Sequence, residues 1–435
     1  MDIYVENYGA KGDGKTLDTC ALQAAIDYVG NSGGGRVVLS GGKTYRSGTI
    51  IMRSNTELYL EAGAVLKGSD DLEDYNVLGL QKKIPERLSK PTYECCDFNG
   101  VPRLYFIYAA NSENIAITGL GKIDGNEEIF YGEQNKYHID GYFYPRVPLV
   151  FFENVNHLTI DRVSLVNSAF WTVHMIGCCD VLIDGIRILN NLRLANCDGI
   201  DPDHCKNVRI SNCHIESADD CIVFKNTAGF LKYGNCENIT VENCTLKSTS
   251  AAIKFGTESE SLFKNILINN CVISDSNRGI SLQLRDKGSI ENVIFSNITI
   301  GTRLFAKDEW WGCAEPIAIT ALKRNRATNV GHIKNILFQN IFCESENGIL
   351  IYGDDSVNIS DVAFKNVKLN LVKKTEREKG MHDLRPCEGN VILDGSLTGV
   401  LMKNARDVDF ENVKITADEE MKKLLKEDFC LNDND

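Results

Sequence analysis

The chain has 435 residues, 43% of them hydrophobic and 25% charged, with a formal net charge of −13 at pH 7. That balance argues against nucleic acid and anionic membranes as partners, because both repel an acidic surface. No apolar run approaches the roughly 18 residues of a membrane helix, and the opening Met-Asp-Ile-Tyr-Val-Glu lacks the basic start and apolar centre of a secretion signal, so a cytoplasmic location is expected.

In chain order, Leu17 to Val29 places Leu22, Ala25, Ile26 and Val29 on one helical face. Gly-rich turns then lead into short strands at Val37-Val-Leu39, Tyr59 and Val65-Leu66. Residues 1 to 110 are read as an N-terminal capping helix with the first coils of a longer array. From residue 114 to 412 one phrase recurs ten times at intervals of 23 to 46 residues: Asn or Asp, apolar, any, apolar, any, then usually Asn, Asp or Gly. Asn114-Ile-Ala-Ile-Thr-Gly119 and Asn238-Ile-Thr-Val-Glu-Asn243 are two copies; His157 and Asp180 open two others. Period-two alternation marks a short strand with one buried face, and the flanking Asn tolerates the left-handed backbone of a turn. Strands this alike, without crossover helices, predict an all-β fold: a single-stranded, right-handed parallel β-helix with one repeat per rung. One repeat family across 111–416 favours a single domain over 1–435, since a solenoid lengthens without starting a new core. The acidic tail, 417–435, is expected to cap the far end or fray.

Midway through each repeat lies a second strand. Aligned, the copies stack Ile200, Ile222, Ile253, Ile280, Ile317 and Ile349 inward, with Phe224, Phe255, Leu282, Ile319 and Ile351 two residues later. The intervening positions then face out, so Asp201, Lys225, Lys254, Ser281, Gln283, Thr320 and Tyr352 form one exposed sheet face on which a substrate groove is expected. The sixteen cysteines follow the repeat rather than any zinc spacing. Cys178, Cys205 and Cys236 share one position and Cys213, Cys244 and Cys271 another, which predicts ladders of small buried thiols.

Chemistry concentrates on two consecutive rungs, Asn196-Cys-Asp198-Gly-Ile-Asp201-Pro-Asp203 and Asp219-Asp220-Cys-Ile-Val-Phe-Lys225. Asp198 and Asp220 fall in the same column, with Cα atoms expected about 5 Å apart. Carboxylates so close raise one another's proton affinity, which suits an acid and a base working on a glycosidic bond. Asp201 and Asp203 could equally be turn formers. A calcium site is the remaining reading of these acids, since oxygen ligands are plentiful, but no EF-type loop appears, and neither metal nor cofactor is expected. Trp310-Trp311 precede the Ile317 strand, either stacking on a sugar ring or closing a loop against the core. Glu315 lies further along the Asp198 column, as a distant subsite contact or a solvated turn residue. His174, on the rung before Asp198, faces out as a subsite ligand or an ordinary surface His. The charged loop Lys373 to Asn390 interrupts the repeat, as a flap over the groove or a merely solvated segment.

The run Asn-Cys-Asp-Gly-Ile-Asp, with Asp-Asp-Cys-Ile after it, resembles the Asn-Thr-Asp and Asp-Asp motifs of glycoside hydrolase family 28, the polygalacturonase family of pectin-degrading β-helices. Tyr8-Gly-Ala-Lys-Gly-Asp-Gly-Lys15, Gly63-Ala-Val-Leu-Lys-Gly-Ser69 and Phe170-Trp-Thr-Val-His174 resemble further signatures of that family. The resemblance implies that Asp219 is the general acid, that Asp198 and Asp220 hold and activate water in an inverting mechanism, and that Asn196 opens the first motif. Two departures stand out. Ser250-Ala251-Ala252 replaces the usual Gly-His-Gly, and Ser281 and Gln283 stand where Arg-Ile-Lys would supply cations for galacturonate. Lys254, Arg278 and Arg285 are candidate replacements, Lys225 is a further candidate substrate contact, and a shifted gap would return Arg278 to a binding role. The expectation is an exo-acting glycosidase of pectin-type, galacturonate-containing oligosaccharides. Three rivals remain: a neutral-sugar glycosidase of the same superfamily, a polysaccharide lyase and a non-catalytic carbohydrate-binding β-helix. The partner is a saccharide; nothing in the sequence sets the oligomeric state.

Overall fold

The ten phrase-opening residues, from Asn114 through His157 and Asp180 to Asp407, all adopt left-handed backbone, with φ between 52° and 59°. Asn and Asp accept this conformation at little cost, which is why the repeat begins with them. In the computed structural model, which describes residues 1–75, 104–141, 146–306 and 308–431, each such turn bends the chain from one parallel sheet into the next. Stacked anchors also bond to one another: Asn265 Nδ2 donates to Asn238 Oδ1 at 3.0 Å, Asn292 to Asn265 at 3.2 Å and Asn335 to Asn292 at 2.8 Å. The result is the expected parallel β-helix, whose ladder of parallel pairings runs from Asp2–Tyr4 to Leu425–Leu431.

Three sheet columns form each coil, one more than the sequence separated. The third, with strands such as Ser164–Val166, Arg187–Leu189 and His214–Ser217, is too short for its alternation to stand out. The inward stack is as expected: Ile200 pairs with Ile222, Ile222 with Ile253, Ile253 with Ile280 and Ile280 with Ile317. All are fully buried, as are Phe224, Phe255 and Leu282. A second aromatic column stacks Phe295, Phe338, Phe364 and Phe410 at 4.7, 4.9 and 5.2 Å between ring centres.

The helix Thr19–Asn31 buries Leu22, Ala25, Ile26 and Val29 against the first coils. At the other end the described part of the tail, up to residue 431, caps the array, since Leu425–Leu431 adds a parallel strand to Leu397–Lys403 and Met421 is buried. Every described cysteine is unpaired, and the two ladders are buried as small apolar groups. Cys95-Cys96 lie outside the described residues.

One expectation holds only in part. Much of the outward face of the second column is covered, since Asp201 and Ser281 are fully buried and Thr320, Gln283 and Lys225 are at most 3% exposed, whereas Lys254 and Tyr352 stay partly exposed. Segments that break the repeat lie over it. Arg285, fully buried, donates to the carbonyls of Leu384 at 3.0 Å and of Pro386, fastening the Lys373 to Asn390 loop on top. The flap reading of that loop therefore holds.

Candidate active site

Where each coil turns into the second column, the sequence places Asp198, Asp220, Ala251, Arg278 and Glu315 at equivalent positions. Gly199 N donates to Asp220 O at 2.8 Å, fixing the Asp198 and Asp220 rungs side by side. A Cβ at Gly199 would stand 2.4 Å from Cys221 O, so only glycine allows this approach. One carboxylate oxygen each from Asp198, Asp219 and Asp220 then lie within 4.8 Å of one another.

Their surroundings differ. Asp220 is 1% exposed and well partnered: Lys254 Nζ is 2.7 Å away, and Ser250 Oγ and Ala251 N donate to its other oxygen at 3.1 and 3.2 Å. Asp219 is only half-buried and faces the cleft, with Asn196 N and Asp220 N donating to its two oxygens at 3.0 and 3.1 Å. Burial and the neighbouring Asp220 raise its pKa against the opposing pull of Lys254 and the Asn196 N–H. Asp198 is 2% exposed, and its Oδ1 has no hydrogen-bond partner. Burial, then Asp219 and Asp201, push it well above the ordinary carboxylate range.

Lys225 holds the cluster from below. Its Nζ lies 3.3 Å from Glu258, 3.5 Å from Asp198 and 3.6 Å from Asp201, and 4.1 Å above the Trp171 ring. Burial alone would pull its pKa down, but Glu258, Asp198 and Asp201 outweigh that and raise it well above the ordinary value.

These groups open into a cleft of about 540 Å³. Asn196, Asp198, Asp219, Asp220, Lys225, Lys254, Arg278, Gln283, Trp310 and Trp311 all line it, as the sequence suggested. Its walls are the antiparallel hairpin Tyr131–Gln134 with Ile139–Gly141, the Trp310-Trp311 segment and Pro386. Trp310 offers little ring face, since it is 4% exposed, packs with Ile139 and Leu194 and donates its indole N–H to Tyr137 O at 3.0 Å.

Three expected contacts are not in the cleft. His174 is fully buried, 3.4 Å from Asp203 and edge-on to Trp171 and Phe151, so it is neither subsite ligand nor surface His. Asp201 is sealed beneath Lys225. Glu315 is fully buried and holds Arg278 at 3.1 Å. Although burial would raise its pKa, Arg278, His382 and the Cys313 N–H hold Glu315 well below the usual carboxylate range. It fixes a wall and touches no subsite. Arg285, anchoring the flap, is unavailable too.

The sequence reading missed Glu258 and Arg324, which also line the cleft. Two more steps of the alternation that gave Lys254 reach Glu258; Arg324 and the hairpin sit in insertions without repeat signal.

Asp201 illustrates the cost of the arrangement. Neither of its oxygens has a hydrogen-bond partner, and burial pushes its pKa well above the ordinary value, against Lys225. A group with a raised folded-state pKa loses stability as pH climbs from its unfolded value through the folded one. Asp201→Asn is therefore expected to stabilise the protein at pH 7 by about 1–3 kcal/mol, with the gain shrinking in acid where wild-type Asp201 is already protonated. Thermal unfolding of both proteins across pH 4 to 8 checks this.

Residues 92–387 match the model for glycosyl hydrolases family 28. The chain belongs to this family. Residues 3–87 match a second model, described as rhamnogalacturonase A/epimerase, pectate lyase-like. A probable polygalacturonase of Vitis vinifera is 32% identical over 232 residues, covering 52% of this chain and 44% of the relative. The exo-poly-alpha-D-galacturonosidase of Dickeya chrysanthemi is 25% identical over 259 residues, covering 51% and 41%. The chain thus spans less than half the length of these curated relatives. An exopolygalacturonase structure from Thermotoga maritima superposes with a TM-score of 0.71 at 20% identity, over 96% of this chain and 92% of that one. It shares the fold. In this family 28 chain, pairing of Ile253 with Ile280 and of Lys254 with Ser281 fixes the register. Ser281 therefore stands beside Lys254 and Arg278 beside Ala251, and Arg278, Ser281 and Gln283 all line the cleft.

Proposed function

We propose that this family 28 chain is a glycosidase that cleaves pectin-type, galacturonate-containing oligosaccharides with inversion, working from chain ends. The observation that carries the reading is the convergence of Asp198, Asp219 and Asp220 on one cleft in three different environments. Asp219, facing the cleft with a raised pKa, donates the proton to the leaving oxygen; Asp220, charge-paired with Lys254, and Asp198 hold the attacking water. The hairpin and the Trp310-Trp311 wall restrict the cleft, which favours chain ends over the middle of a polymer, and the exo-acting relatives agree. The oxygens approach more closely than the 6.5–9.5 Å carboxyl separation common among inverting enzymes, so stereochemistry is the discriminating measurement. Proton NMR of the first anomer released from a panel of pectic and neutral oligosaccharides is expected to show inversion; a retained anomer would recast Asp198 or Asp220 as a nucleophile.

A second reading, an uncharged sugar at the reacting position, is favoured by one specific observation. Among the described residues, each Lys and Arg lining the cleft already faces a protein carboxylate: Lys225 with Glu258, Lys254 with Asp220, Arg278 with Glu315 and Arg324 with Asp286. A uronate there would compete for cations already engaged. The same panel separates the two readings by which compounds release sugar.

A further inference from the structure

Across the wall formed by Trp310 and the hairpin lies a second cleft of about 330 Å³. Its lining includes Lys136, Arg193, Lys247, Arg303 and Arg377, with Asp275 as the sole carboxylate among the described residues. In a chain of net charge −13 this is a local reversal of sign. Asp275 engages Arg303 at 2.5 Å and Lys247 at 3.6 Å. Among the described residues, Lys136, Arg193 and Arg377 have no carboxylate at ion-pair distance, although Arg193 Nη1 is steadied by Asn135 O at 2.8 Å. Tyr137, 43% exposed, presents a ring with the Lys136 ammonium 5.3 Å and the Arg377 guanidinium 5.5 Å from its centre.

Cations gathered without counter-charges repel one another, and an anion placed among them relieves that repulsion. An exposed ring flanked by two cations fits a sugar acid, whose apolar face stacks while its carboxylate takes the charge-assisted hydrogen bonds. The position is also telling. Lys247, Ser248 and Thr249 line this cleft and run directly into Ser250 and Ala251 on the floor of the catalytic one, and Trp310 lines both. We propose that the second cleft is a distinct saccharide site that takes the uronate carboxylates of an acidic oligosaccharide and so anchors the part of the substrate remote from the reacting bond. The proposal rests on the glycosidase reading for its context but is tested apart from turnover.

The test is calorimetric titration of Asp219→Asn protein with short galacturonate oligosaccharides, with the same oligosaccharides after reduction of their carboxyl groups, and with inorganic sulfate. The acidic forms are expected to bind at least about tenfold more tightly than the reduced forms, with affinity falling as salt is added. Lys136→Ala combined with Arg377→Ala, both at exposed side chains, should lower that affinity about tenfold. In a background with Asp219 intact, the same pair should leave turnover of substrates confined to the catalytic cleft unchanged. Equal binding of acidic and reduced forms, equal binding by the double variant, or sulfate binding as tightly as the oligosaccharide would overturn the proposal. Because the titration reads binding in a variant whose turnover is slowed, such a failure leaves the glycosidase reading standing, and a failure to hydrolyse leaves this site to be judged on binding alone.

Discussion

Asp219→Asn is expected to lower turnover by about a hundredfold to ten-thousandfold while leaving saccharide affinity and thermal stability near those of the wild type. Asn has the same shape, and its carbonyl oxygen can still accept an N–H from Asn196 or Asp220, so the local backbone has no reason to move. What disappears is the transferable proton. Of the three acids, Asp219 alone is half-buried and directed at the cleft, whereas Asp198 and Asp220 are 2% and 1% exposed. Its raised pKa sets the sign of the pH dependence: an acid that must be protonated loses activity as pH climbs through that value, so the alkaline limb of the kcat profile belongs to it. The variant should show no such limb in whatever activity remains. Steady-state kinetics on the preferred oligosaccharide, with calorimetric affinity measured in parallel, check both halves. Full turnover by Asp219→Asn would end the proton-donor assignment, and lost affinity with unchanged kcat would make Asp219 a binding group.

The repeat made the cylinder legible because each clue is local. Left-handed Asn anchors and period-two alternation within six residues determine which side chains stack inward, and the shared column of Asp198 and Asp220 follows from that register alone. Burial on the outer face obeys a different physics. His174, Asp201 and Glu315 point away from the core as expected, yet each is sealed, His174 and Asp201 by bulky neighbours on the same outer face and Glu315 by a remote insertion. Trp171 and Phe151 cover His174, Lys225 lies over Asp201, and the flap carrying His382 and Asp383 covers Glu315, with Arg278 also donating to Asp383 O. A strand pattern tells which way a side chain leaves the sheet. It carries no information on which insertion, far along the chain, settles on top. The resemblance to family 28 identified the three acids, but Arg324 and the Tyr131 to Gly141 walls lie in segments without periodicity and emerge only once the coils are stacked.

Lys225→Met is expected to destabilise the protein by about 3–5 kcal/mol at pH 7, as removal of one partner from a buried ion cluster typically does. The Met side chain fills most of the space under Trp171, so lost packing is a minor part of the effect. The larger part is electrostatic, because Asp198, Asp201 and Glu258 would remain in the interior without their shared cation. The pH dependence separates the two. In the wild type burial pushes Glu258 up, but Lys225, Arg324 and Lys254 override it and bring its pKa down to about 2. Such a group contributes stability above its unfolded value near 4.5 that is lost as pH falls through about 2. Without Lys225 that contribution shrinks, while Asp198 and Asp201, already raised, climb further and withdraw stability as pH rises. Both trends place the deficit of the variant at neutral pH and reduce it in acid, where Asp198 and Asp201 are neutral in both proteins and the Glu258 contribution is partly lost. Urea unfolding of wild type and variant from pH 3 to pH 8 should therefore give curves that converge at the acidic end. Adding Asp201→Asn to Lys225→Met should recover part of the neutral-pH loss, because one stranded charge is gone. A deficit of equal size at pH 3 and pH 7 would assign Lys225 to packing against Trp171 instead of to the charge balance of the cleft.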